Sequence, residues 1–335
     1  MINQTFRTPI QVKKFPFKLE PDSKIMFLGS CFAENIGKKM ENDKFNIDIN
    51  PFGILYNPVS IKRSLEFLIM EKPFLENNMF YNNGLWNSFL HHSRFSGSDK
   101  QAVVTQINKR ITNAVEFLYN CEYLFITFGT SWVYQHIETN IVVSNCHKLP
   151  SSTFHRKILT ADEITIDYYQ LIENILNINP KIKIIFTVSP IRHLNDGNTE
   201  NFLSKSVLMI AVQQITSHFK NAFYFPAFEI MYDDLRDYRF YAKDLVHPNE
   251  IAIDYIYDIF SENLFSEKTK KIILEIEKIK KAKNHKVFQP KNEAYRIFLV
   301  NYIEIINNMN KKYSFLNLET EKQYFENELK SNFQN

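Results

Sequence analysis

Glycine is the residue this chain has least reason to lack and yet lacks: seven in 335 positions, against roughly 7% in average usage. The few that remain are expected where a side chain would not fit, and Gly29, Gly53 and Gly129 each stand in a short loop or at the end of a strand-like run. Cysteine is also sparse. Cys31, Cys121 and Cys146 are too few and too scattered for a disulfide framework or a zinc knuckle. No stretch approaches the ~20 consecutive apolar residues of a membrane span, and the opening MINQTFRTPIQVKKF has no continuous apolar core of the kind a signal peptide needs. The expected setting is therefore reducing and cytoplasmic. A formal net charge of +3 is small for this length and gives no reason to expect nucleic acid or an acidic membrane surface as partner. With neither HxxxH nor CxxC spacing present, neither metal nor other cofactor is expected.

What the chain does contain is strands alternating with helices. Apolar runs at Ile25–Leu28, Glu122–Phe128 and Lys183–Val188 read as buried strands, with shorter candidates at Phe45–Ile49, Ile141–Val143 and Phe223–Phe225. Helical periodicity covers about 59–70, 101–119, 161–178, 202–219 and 250–260, and the third of these runs opens with the capping pattern Thr160-x-x-Glu163. This alternation predicts an α/β fold, a three-layer α/β/α sandwich around a parallel sheet, over residues 20–265. From about Ser266 the pattern turns to helices rich in Lys and Glu, with Ile272, Ile273, Ile276 and Ile279 forming an apolar stripe. Residues 266–335 are expected to be a helical tail packed on the main domain. No internal repeat is visible.

Two stretches carry potential chemistry. In KIMFLGSCFAENIG, residues 24–37, a strand meets a helix through a tight Gly29-Ser30-Cys31 turn. That geometry lifts a small nucleophile above the C-terminal edge of a parallel sheet, next to helical N–H groups able to stabilise an oxyanion. An ordinary βα turn, with Ser30 as N-cap and Cys31 as a small buried hydrophobe, would have the same pattern. The second stretch is Asp244-Leu245-Val246-His247-Pro248. An acid three residues before a histidine can hold the imidazole by Nδ1 and leave Nε2 to take a proton; capping or packing against the helix from Glu250 is the plainer alternative. Together with Gly53 and Gly129, these stretches all fall at the C-terminal ends of strands, where α/β sites are built.

The run Gly29-Ser30-Cys31-Phe32-Ala33 resembles the signature of the GSCFA family, an SGNH-hydrolase-like group, and NPFGILYNP (50–58), NCHKLP (145–150), TVSPIRHL (187–194) and DDLRDYRFYAKDLVHPN (233–249) look like further segments of it. The resemblance spans roughly residues 20–260. It implies a flavodoxin-like sandwich with a Ser-His-Asp site and four functional blocks. Gly53 matches the oxyanion glycine, and Asp244 and His247 match the Asp-x-x-His block. Registering on Gly29 puts Ser30 at the family aspartate and Cys31 at the family serine, which favours Cys31 as nucleophile and keeps Ser30 as the alternative if the turn is one residue tighter.

The third block departs from the pattern. It reads Gly129-Thr130-Ser131, so the oxyanion asparagine is missing, and the hydroxyl of Thr130 or Ser131, or backbone N–H groups, would have to substitute. His92, His147, Lys148, Arg192 and His193 are candidates to converge on a polar substrate. The acidic and basic residues from Asp233 to Arg239 are expected to pair around the Asp244 loop, and Trp86 and Trp132 to lie in the core. The implied activity is hydrolysis or transfer of an O-acyl group on a carbohydrate or small metabolite. The alternative, motivated by the missing asparagine, is a non-catalytic ligand-binding protein on the same scaffold.

Overall fold

Tyr123–Phe128 (β5) is buried at every position, as expected of a strand covered on both faces. It is the middle strand of a five-stranded parallel sheet in which it pairs with Lys24–Gly29 (β1) and Lys183–Val188 (β8). Asn46–Ile49 (β2) and Ala222–Tyr224 (β9) complete the sheet, in the order β2-β1-β5-β8-β9. The computed structural model describes residues 7–194, 197–286 and 288–333.

Alternate residues of the strands supply two apolar faces. Met26, Leu28, Leu124, Ile126, Phe128, Ile184 and Phe186 join one core with side chains from Pro58–Ile69 (α2), Lys100–Tyr119 (α3), Ala161–Ile178 (α4) and Asn198–His218 (α5). On the opposite face Phe27 and Phe125 stack at 4.6 Å, and Phe125 meets Phe260 at 5.4 Å. Phe260 lies on Glu250–Leu264 (α7); Cys31–Asn42 (α1) precedes β2, and the short Ala227–Glu229 (α6) follows β9. Helices flank the sheet as a three-layer sandwich requires.

The expected cap at Thr160 forms. Thr160 Oγ1 accepts the Glu163 N–H at 3.2 Å while a Glu163 carboxylate oxygen accepts the Thr160 N–H at 2.7 Å, closing a capping box at the start of α4. Helix α5 begins at Asn198 rather than near 202, because its first turn is polar and lies outside the apolar periodicity.

Two small ribbons were not visible in the sequence. Phe80–Asn82 (β3) pairs with Leu85–Asn87 (β4), and Trp132–His136 (β6) pairs with Phe154–Ile158 (β7). The Ile141–Val143 run is not a strand: Val142 makes a single bridge to Gln135, and the true partner of β6 is the polar sequence FHRKI. Apolar patterning misses such ribbons because they are only partly covered.

By internal contacts the chain divides into two units, one made of Met1–Phe15, Lys24–Lys39 and Ile47–Asn263, the other of Pro16–Ser23, Met40–Asn46 and Leu264–Asn335. The second contains Glu267–Lys283 (α8), Glu293–Lys312 (α9) and Glu319–Phe333 (α10). Ile272, Ile276 and Ile279 pack there with Leu299, Ile306 and Phe325. Among the described residues, no helix is long and apolar enough to cross a membrane.

Candidate active site

The loop Asn50–Asn57 fastens the C-terminal ends of β1 and β5 together. Asn50 Oδ1 accepts the Gly29 N–H at 2.9 Å, the Leu55 N–H donates to the Gly29 carbonyl at 2.9 Å, and the Tyr56 carbonyl accepts the N–H groups of Gly129 and Thr130 at 2.8 and 3.0 Å. Above this seam opens a cavity of about 540 Å³. Its wall includes Cys31, Tyr56, Asn57, Thr130, Trp132, Cys146, Arg192, His193, Asp244 and His247.

Cys31 is the first residue of α1 and is half-buried in that wall. Burial pushes its thiol above the ordinary value; the backbone N–H groups of Cys31 and Phe32 pull the other way, as does the charge of Lys205. Ser30 is turned inward. It is buried, its Oγ accepts the Phe32 N–H at 3.3 Å, and it does not line the cavity.

His247 and Asp244 are bonded to each other, Nδ1 to Oδ2 at 2.7 Å. Asp244 Oδ1 takes the N–H groups of Val246 and His247 at 2.9 and 3.0 Å. These bonds, the His247 N–H foremost, then the Val246 N–H and the imidazole, hold the carboxyl down at about 2. A carboxylate on Nδ1 fixes the tautomer that leaves Nε2 as the proton acceptor. Asp233, Arg236, Asp237 and Arg239 pair among themselves, and Asp234 pairs with Arg7. The run from Asp233 to Arg239 thus forms ion pairs of its own ahead of the Asp244 loop.

The oxyanion candidates make bonds within the protein. The Gly53 N–H donates to the Asn50 carbonyl at 2.8 Å inside a turn. Gly53 is glycine because its φ is +82° and an added Cβ would lie 2.3 Å from His92 Cβ. Ser131 is fully buried, with its N–H and hydroxyl both bonded to Ser204. Thr130 does line the cavity, but its Oγ1 is shared between Ser204 at 3.0 Å and the Trp132 N–H at 3.1 Å.

Arg192 and His193 are in the wall. The Arg192 guanidinium lies near the rings of Tyr232 and Tyr241, at 5.7 and 5.9 Å from their centroids. Desolvation, then the nearby charges of Lys205 and His247, lower His193 to about 3 and keep it neutral. His92, His147 and Lys148 are not in the wall. His92 Nδ1 accepts the Arg94 N–H at 3.2 Å, and buried His147 Nε2 is bonded to the Ser88 carbonyl at 2.8 Å. Both contacts are made within the surrounding loops.

Trp132 is likewise not a core residue: it borders the cavity with Arg156 stacked over its ring at 3.7 Å. Three participants escaped the sequence reading altogether. Asn57 forms part of the wall, as does Cys146, and Lys205 lies fully buried beneath it. A signal for Lys205 exists, since it stands on the buried stripe Asn201, Ser204/Lys205, Leu208, Ala211/Val212, Ile215 of α5. Among the described residues, no group of three or more His, Cys, Asp or Glu side chains could hold a metal ion.

Residues 24–260 match the GSCFA family, and residues 276–331 match the C-terminal domain of GSCFA proteins. The chain belongs to the GSCFA family. The Gly29–Ala33 signature that gives the GSCFA family its name is the βα corner carrying Cys31. No curated protein matches the chain.

Proposed function

We propose that this GSCFA protein is an ester hydrolase or acyltransferase of SGNH-like type, with Cys31 as nucleophile and His247, oriented by Asp244, as its base. The observation that carries the reading is that Cys31, at the N-terminus of α1, and the Asp244-bonded His247 line one cavity at the C-terminal edge of the sheet. Ser30, buried and bonded within the corner, is the weaker candidate.

In this mechanism His247 Nε2 takes the proton of Cys31 Sγ, and the thiolate attacks the acyl carbonyl carbon. The tetrahedral intermediate collapses as the carbon–oxygen bond to the alcohol breaks, and the imidazolium returns its proton to that alcohol. Water, or an acceptor hydroxyl, then adds to the thioester with His247 again as base. Asn57 is our candidate for the missing oxyanion donor. Its Oδ1 is occupied by the Ser60 N–H at 2.8 Å, which leaves the Nδ2 amide as the group it can offer to the cavity. The substrate class, an O-acyl group on a carbohydrate or small metabolite, follows from the family resemblance and from a cavity large enough for a small molecule.

The test is hydrolysis of p-nitrophenyl acetate and longer esters by wild type, Ser30→Ala, Cys31→Ala and His247→Ala. Turnover lost in Cys31→Ala and His247→Ala but kept in Ser30→Ala is the expected result. The engagement of Thr130 and Ser131 in internal bonds favours a second reading, a binding protein that has lost the chemistry. Equal background rates in all four proteins would establish that second reading.

A further inference from the structure

Lys205 is 2% exposed, and its Nζ donates to the carbonyl oxygens of Gly129 at 2.6 Å and Ser189 at 2.7 Å. Those carbonyls stand immediately past the ends of β5 and β8, at the sheet edge over which the cavity opens. A lysine on the apolar stripe of a helix costs far more to bury than the methionine or leucine that would fill the same space. Two carbonyls satisfy two of its three N–H bonds and give no net countercharge. Cys31 and Lys205 each favour the charged form of the other.

Resting on the reading of Cys31 as nucleophile, we propose that Lys205 is a positioning residue for the reaction, its buried ammonium favouring the Cys31 thiolate over the thiol. The two carbonyls hold the ammonium just past the ends of β5 and β8, and Cys31, the first residue of α1, lines the cavity at this edge. When Sγ gives its proton to His247 Nε2, the negative charge left on sulfur is answered by Nζ as well as by the N–H groups of Cys31 and Phe32. Desolvation lowers Lys205 to about 7, and the neighbouring Cys31 opposes that drop. Other titratable groups near the pair are Glu34 on α1, Tyr56 before α2, His193 after β8 and His247 before α7, and the cavity wall adds Cys146, Arg192 and Asp244. Glu34 acts against the thiolate, and neutral His193 contributes no charge. A lysine that merely ties two strand ends together would leave the sulfur's proton affinity untouched.

The experiment is the pH profile of iodoacetamide alkylation at Cys31, read on the Cys31 peptide by mass spectrometry so that Cys121 and Cys146 do not interfere. Lys205→Gln keeps an N–H donor for the carbonyls and removes the charge. The expected result is a midpoint moved to higher pH by about one unit and alkylation near neutral pH slowed about tenfold. An unchanged profile in folded Lys205→Gln overturns the proposal. Should that variant fail to fold, the reciprocal measurement uses native lysines: the titration of Lys205 followed by NMR in wild type and Cys31→Ala. A fall in the Lys205 midpoint on removing the sulfur supports the pairing, and an identical midpoint overturns it. Alkylation needs no turnover, so a null result here and a null result with p-nitrophenyl esters are separate outcomes.

Discussion

His247 Nδ1 lies 2.7 Å from Asp244 Oδ2, and the other oxygen of the same carboxylate is committed to the N–H groups of Val246 and His247. The carboxylate thus shapes its own loop and orients the ring with separate oxygens. Asp244→Asn keeps an oxygen for the loop N–H groups and puts an amide N–H against Nδ1, which forces the proton onto Nε2. The expected outcome is a loss of roughly 10²–10⁴ in kcat for ester hydrolysis, with an unchanged circular dichroism spectrum. Full activity in a folded Asp244→Asn protein would remove the dyad from the mechanism.

Asn57 does two jobs that substitution can separate. As the N-cap of α2 its Oδ1 accepts the Ser60 N–H, a contribution of about 1 kcal/mol. Asn57→Asp retains that acceptor and lacks the amide donor. Its melting temperature should match the wild type while kcat falls about 10²–10³-fold; Asn57→Ala should lose both. Undiminished kcat in Asn57→Asp would rule out the amide as oxyanion donor.

His91 is buried among Phe52, Phe74 and Phe95, with Nδ1 on the Ser88 hydroxyl at 3.0 Å. Desolvation, then the charge of His147, lowers it from 6.5 to about 3. In that window the unfolded chain binds a proton that the folded chain refuses. Stability is therefore full above about pH 6.5 and declines as the pH falls toward 3, by about 1.4 kcal/mol per pH unit for such a group. His91→Phe should flatten this decline in denaturant unfolding at pH 7.5 and 4.5. A mutant losing as much stability as wild type between those values would show that His91 is not responsible.

Gly29 has φ +133°, and a Cβ there would lie 2.2 Å from the Thr127 carbonyl oxygen on β5. Because the obstacle is backbone of the central strand, relief requires the two strands to part. Gly29→Ala should destabilise the protein by on the order of 3 kcal/mol or more, seen as a lower urea midpoint or as insoluble expression. An unaltered midpoint would contradict the close approach of β1 and β5 at this corner.

The sandwich was legible because its signals are local and redundant. Three buried strands read as continuous apolar runs, α4 announced itself by a capping box, and the helical tail by a stripe of isoleucines. Less was legible for β3, β4, β6 and β7, whose short mixed sequences acquire strand conformation only from a partner.

The candidate site divides along the same line. Sequence alone determined the corner at Ser30-Cys31 and the Asp244–His247 pairing, since each depends on residues within one turn or an i, i+3 spacing. The tertiary structure decided which polar groups are bonded within the protein and which line the cavity. It consumed the Gly53 N–H in a turn, Ser131 on Ser204 and His147 on Ser88. It also brought Asn57 into the wall and buried Lys205 beneath it. The reason is that a donor's partner, and the water removed from around it, depend on groups tens to hundreds of positions away, whereas strand and helix patterning depends on neighbours.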